Sequence, residues 1–215
     1  LEKRSAGIWL AIFGALLIIA GLGYWRIDQA DQNQIKAAVS AYLNMSDVYK
    51  AILKETKAVT RKSSMDEQDK LVNERVLEAY RKILTGKILK SYQATLQSYS
   101  IFSDDYPMLF SDLERIKIKK MQMTREGWNK YVCRVSLVSH ENYSTDLYTP
   151  DLNSLITDYR VANFTQAKFN AVANRCNGIS LEVNRKNTFK LIKTAQGWLI
   201  FDIKYDIEKS KLRLE

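Results

Sequence analysis

Side chains able to do acid–base, nucleophilic or metal chemistry are few in this sequence. One histidine is present, His140, within Ser139-His140-Glu141-Asn142. An imidazole titrates near neutrality and is a natural general base. No serine, however, sits in a G-x-S-x-G elbow, and neither cysteine neighbours the histidine in sequence. The glycines are scattered, so no phosphate-cradling loop or dinucleotide fingerprint forms. Cys133 and Cys176 lack metal-ligand spacing. In an oxidising compartment they would pair and contribute about 3–4 kcal/mol, or else stay as two partly buried thiols, and both readings stand open. The chain is therefore read as no enzyme, with no cofactor and no metal.

Binding chemistry is better represented. With 33 Lys and Arg against 24 Asp and Glu the net charge is +9. Lys117, Lys119, Lys120 and Arg125 fall on one expected hairpin, and Arg185, Lys186, Lys190 and Lys193 on another. Adjacent strands would merge Lys117, Lys119, Lys120, Lys190 and Lys193 into a basic face. That face lacks interleaved aromatics, which favours a solvated surface or a rim for anionic lipid head groups over nucleic acid, except as a substrate being transferred. Tyr131, Trp198 and Phe201 are candidates for an apolar pocket on the concave side of a sheet. Such a pocket gives a ligand-binding domain as the alternative function, and an enzyme using that cavity as a distant third.

The elements that position these residues begin with a run from Ser5 to Trp25 that carries no charge. As a helix it spans roughly 30 Å, the thickness of a bilayer's hydrocarbon core. Trp9 lies near one end and Tyr24 and Trp25 at the other, where aromatic rings favour the interface. A cleaved signal peptide would have a shorter core and a small-residue cleavage site, and neither is present. Lys3 and Arg4 place the amino-terminal side in the cytoplasm. Gly7, Ala11 and Ala15, four residues apart, would let the helix pack closely against others. The expected division is a cytoplasmic tail over 1–4, a membrane helix over 5–26, a long amphipathic helix over 27–63 and an extracytoplasmic α+β domain over 64–215. The expected location is the cell (inner) membrane, single-pass, with the carboxy-terminal domain periplasmic or extracellular.

Beyond the membrane, Ile35, Val39, Tyr42, Tyr49, Ile52 and Leu53 repeat at helical spacing. Ser64 and Glu67 read as a capping box that starts the next helix, and Gly86 breaks it before a short helix over 88–96. After Glu114 the period falls to two. Ile116 and Ile118 alternate in one phase and Met121 and Met123 in the other, which requires a β-bulge at Lys119-Lys120. Glu126-Gly127 is the expected hairpin turn, followed by a strand burying Tyr131, Cys133, Val135 and Leu137. A short helix is expected near 166–173 and a turn at Asn177-Gly178. The strands of Ile179–Val183 and Phe189–Leu191 are either split by a turn at 184–187 or continuous. Gln196-Gly197 turns the chain into Leu199, Phe201, Ile203 and Tyr205. Helices followed by an antiparallel meander make an α+β domain.

The closing segment from Phe189 through Gln196-Gly197-Trp198 to Asp202 is an apolar strand, a Gly turn and a Trp-apolar-x-apolar-Asp strand. It resembles the final hairpin of nuclear transport factor 2-like cone folds. With an anchor ahead of such a domain, the chain resembles the membrane-anchored VirB-eight-like scaffold subunits of type IV secretion and conjugation machines. That resemblance implies a single-pass assembly subunit that oligomerises or joins other subunits of a membrane complex. The family's short Asn-Pro loop motif has no counterpart here, since Pro107 and Pro150 lie in other contexts.

Overall fold

The computed structural model describes residues 2–59, 64–98, 113–144, 160–161 and 178–214, with the side chains of residues 1–13, 15 and 16 and of a few positions at the ends of later elements outside the description. Among the described residues four helices come first: α1 (Glu2–Leu43), α2 (Met45–Val59), α3 (Met65–Arg81) and α4 (Gly86–Ser98). Five strands follow: β1 (Leu113–Gly127), β2 (Lys130–Ser144), β3 (Gly178–Thr194), β4 (Gly197–Lys204) and β5 (Ile207–Leu214). The chain is α+β, with the helices packed on an antiparallel sheet that does not close.

One helix carries the apolar amino-terminal run and the first core residues without interruption. Among the described residues no helix is long and apolar enough to cross a membrane. The first half of the span expected over 5–26 falls on side chains outside the description, apart from Gly14, and Gly7, Ala11 and Ala15 are among them. The amphipathic stretch expected to run unbroken to residue 63 is instead cut at Asn44. Its carbonyl accepts from the Asp47 and Val48 N–H groups and so starts α2, a role suited to Asn at a helix entrance. Ser64 caps α3 as expected, with the reciprocal Glu67 bond completing the box.

Helical spacing explains what α1 buries. Ile35, Ala38, Val39 and Leu43 form one stripe, and they meet Tyr131, Cys133, Val135, Phe189, Leu191 and Ile200 from the sheet. Val72, Val76 and Tyr80 of α3 and Leu96 of α4 extend the same core. The Asn73 Nδ2 group donates to the Leu96 carbonyl at 2.8 Å and joins the two helices.

Sheet order is β1-β2-β3-β4, with β5 also paired to β3. The 17-residue β3 is continuous, so residues 184–187 lie mid-strand and make no turn. β2 runs along one edge of β3, while β4 and β5 share the other, β4 facing Thr188–Thr194 and β5 facing Ile179–Arg185. β5 is an element the alternation did not announce. The bulge between Ile118 and Lys120 is where two opposite phases required it. The first hairpin turns one step later than Glu126-Gly127: Gly127 still pairs with Lys130, and Trp128-Asn129 form the loop. The segment after α3 closes the β4 edge, where the Ile200 N–H donates to the Ile83 carbonyl at 2.8 Å and the Thr85 N–H to the Ile200 carbonyl at 2.9 Å. Among the described residues β1 is an edge strand, and its bulge and Lys117, Lys119 and Lys120 are features that discourage pairing with another chain. The helix expected near 166–173 and Asn177 lie outside the described residues.

The second hairpin depends on Gly197, whose φ of 111° is closed to residues with a Cβ. A Cβ there would meet nothing nearer than the Gln34 side chain at 3.9 Å, so the strain is in the backbone and not in packing. Gly197→Ala is expected to lower stability by about 1–3 kcal/mol, read as a lower urea midpoint with an unchanged slope.

Candidate functional site

The most concentrated chemistry in the molecule is a charge cluster between α1 and the two hairpin ends. Asp31 occupies the same helical stripe as Ile35 and Ala38, so folding carries its carboxylate inward to 3% exposure. Three donors meet it. Lys193 Nζ and Arg125 Nη2 each lie 2.7 Å from a carboxylate oxygen, and Trp198 Nε1 donates at 2.9 Å. Asp28, one turn earlier on α1, accepts from the Tyr131 hydroxyl and lies 3.2 Å from Arg125 Nε. Arg125 Nε also donates to the Tyr131 oxygen at 3.0 Å.

Aromatic rings wall the charges. Tyr131 and Trp198 meet edge to face at 5.2 Å between centroids. The Arg125 guanidinium lies over Tyr131 at 5.1 Å and Tyr24 at 5.4 Å, and Lys193 lies over Trp198 at 5.7 Å. β1, β2, β3 and β4 each supply one of these residues, and α1 supplies the acids. The arrangement fastens one helix to two hairpins.

Burial by itself would raise the Asp31 carboxyl. The hydrogen bonds from Lys193 and Trp198, with the charges of Lys193 and Arg125, outweigh it and hold the group below its ordinary value of 3.8. For Tyr131 burial dominates and raises the phenol, with the bond to Asp28 acting the same way. With Asp31 saturated by donors and Tyr131 kept protonated, neither is poised to take a proton from a substrate.

A second polar cluster joins α1, α4 and the corner after β4. The Tyr42 hydroxyl bonds to that of Tyr92 at 2.5 Å and to that of Tyr205. Burial lifts Tyr42 well above the ordinary phenol value, so it serves as donor and acceptor and not as a base. Its ring also meets Phe189 edge to face at 5.7 Å.

The expected site residues separate. Lys190 lies opposite Val132, on the sheet face away from the helices, with Lys119 and Lys120. Lys117, opposite Val138, shares that outer face, so four of the five expected cations lie on one side of the sheet, while Lys193 is on the helix face, held by Asp31. Lys190 is paired with Asp202 at 3.0 Å, and Lys186 with Glu208 at 2.5 Å, which reduces the charge of the outer face. Tyr131 and Trp198 pack edge to face against each other, while Phe201 sits at the β4 bulge and takes no part in that contact. A cavity of about 240 Å³ opens elsewhere, lined by Gln122, Arg134, Ser136, Lys186, Thr188 and Lys204 among others. Cys133 is a free, fully buried thiol on the core face, its pKa raised by burial to about 11. Cys176 lies outside the described residues. His140 is half-buried and alternates to the face opposite Cys133. Among the described residues no group of three His, Cys, Asp or Glu could hold a metal ion.

The Asp28–Asp31 pair is the part that sequence reasoning missed. A carboxylate on the same stripe as Ile35, Ala38 and Val39 was the available signal, because an acid at a core position demands a buried cation.

No family model matches the chain, and no curated protein does. Among solved structures it is similar to the Kfla4162 protein from Kribbella flavida, at 10% identity and a TM-score of 0.44, over 85% of this chain and 94% of that one. It is also similar to the intermembrane space region of the chloroplast protein ARC6, at 12% identity and a TM-score of 0.34, over 61% of this chain and 78% of that one. Likeness of this degree assigns no family.

Asp31→Asn would leave two cations facing a neutral amide and is expected to cost about 2–4 kcal/mol. A carboxyl held low contributes stability that is present above its unfolded value and is lost as pH falls through the folded one. The difference between wild type and Asp31→Asn should therefore be full at neutral pH and shrink below 3.8. Urea titrations at several pH values measure it.

Proposed function

We propose that the chain is a single-pass membrane scaffold whose α+β domain stands outside the cytoplasm and assembles with partner proteins. The observation that carries this reading is the exposure of Leu17, Ile18, Ile19, Leu22 and Trp25 on α1. They continue the uncharged run that begins at Ser5, and the same helix then enters the core at Asp31 and Ile35. Contiguous exposed apolar surface on one helix calls for an apolar surrounding, and lipid supplies it. Lys3 and Arg4 favour an amino-terminal end in the cytoplasm. The donor-saturated Asp31 cluster favours a structural role over an enzymatic one. The resemblance of the closing hairpin and anchor to type IV secretion scaffolds suggests a secretion or conjugation machine as the assembly, with further subunits or second copies as partners.

Ile18 and Ile19 make a clean test, because both are exposed and their replacement leaves the domain intact. Charged side chains at mid-membrane depth each oppose insertion by about 2.5–3.5 kcal/mol. The full chain should sediment with membranes and resist alkaline carbonate, and Ile18→Lys with Ile19→Lys should move it to the soluble fraction. A wild-type chain recovered without detergent in the aqueous fraction would overturn the reading. Protease added to spheroplasts should digest the carboxy-terminal domain, and full protection would reverse the orientation.

A further inference from the structure

Trp128 is the most exposed large apolar residue of the described chain, 83% open at the tip of the β1–β2 hairpin. A tryptophan so placed contributes little to folding, and its indole is poorly suited to bulk water. Its position along α1 is informative. The ring meets Tyr24 edge to face at 6.4 Å, although 103 residues separate them in sequence. Tyr24 is also the ring under Arg125, so the charge cluster fixes the hairpin at this level of the helix. Tyr24 and Trp25 are themselves exposed, and Leu22, Ile19 and Ile18 continue from them toward the amino terminus. Arg26 follows on α1 and the exposed Lys130 follows on the hairpin. Three aromatic rings from two distant segments thus share one height, with apolar side chains on one side of it and cations on the other. That order is the one a bilayer imposes, with hydrocarbon first, aromatic rings at the interface and basic groups among the head groups.

We propose that the β1–β2 hairpin tip is a second membrane contact, with Trp128 seated in the head-group interface beside Tyr24 and Trp25. This inference rests on the anchored reading and adds to it. A lone transmembrane helix leaves its domain free to rotate about the helix axis and to lean away. A hairpin inserted at a fixed angle around α1 removes both freedoms and holds one side of the sheet toward the lipid. Its occupant is the lipid interface itself, and the continuity of the apolar surface from α1 to the hairpin is the reason.

The test uses the full chain reconstituted in phosphatidylcholine–phosphatidylglycerol vesicles, with lipid brominated near the head of the acyl chain as quencher. Subtracting the emission of Trp128→Phe from that of wild type isolates Trp128, and subtracting that of Trp25→Phe isolates the helix. Both are conservative changes at exposed positions. The Trp128 signal is expected to fall by about half with brominated lipid and to resist aqueous acrylamide. A Trp25 signal quenched by lipid beside a Trp128 signal reached only by acrylamide would overturn the hairpin contact and leave the anchor standing. If lipid quenches neither, the anchored reading and the hairpin contact both fail.

Discussion

The fold turns on a single buried carboxylate. Asp31 lies on an otherwise apolar stripe, where an unpaired charge would be prohibitive, so its burial is tolerable only if cations arrive from elsewhere. They arrive from two hairpins of the sheet, Arg125 on β1 and Lys193 on β3, with Trp198 of β4 completing the set. A requirement of one residue thereby sets the register of α1 against three strands. Apolar packing alone would tolerate a helix that slides or turns by a fraction of a residue. Directed bonds at 2.7 Å do not.

Alternation and capping explain why much of the fold was legible. The opposed phases of Ile116/Ile118 and Met121/Met123 could be reconciled only by a bulge, and one exists between Ile118 and Lys120. Ser64 with Glu67 announced the start of α3 because two orphan N–H groups need partners that such a pair supplies. β5 stayed hidden because its alternation, Ile207, Lys209, Lys211 and Arg213 against Ser210 and Leu212, buries few apolar side chains. The division at Asn44 was obscured because the apolar spacing continues across it from Leu43 to Met45 and Tyr49.

The charge cluster was less legible for a different reason. Arg125 and Lys193 each look like one more cation in a basic hairpin, and nothing local marks them as partners of a buried carboxylate. Their role depends on which strand face they occupy and what crosses it, and that is a property of the assembled sheet. Lys190 and Lys193 show the point, three residues apart yet on opposite faces, one paired with Asp202 and the other with Asp31. Counting cations by segment therefore overstated the basic surface.

The continuity of α1 carries a mechanical meaning. From Glu2 to Leu43 the helix has no proline and no break, so no proline kink interrupts it between its outer end and the core. A tilt or twist imposed at its outer end reaches Asp28 and Asp31 before the apolar stripe beyond them, and the bonds to Arg125, Lys193, Tyr131 and Trp198 meet it first. The helix is a stiff lever whose fulcrum is that cluster, and load applied at one end would be felt first as strain between the two hairpins.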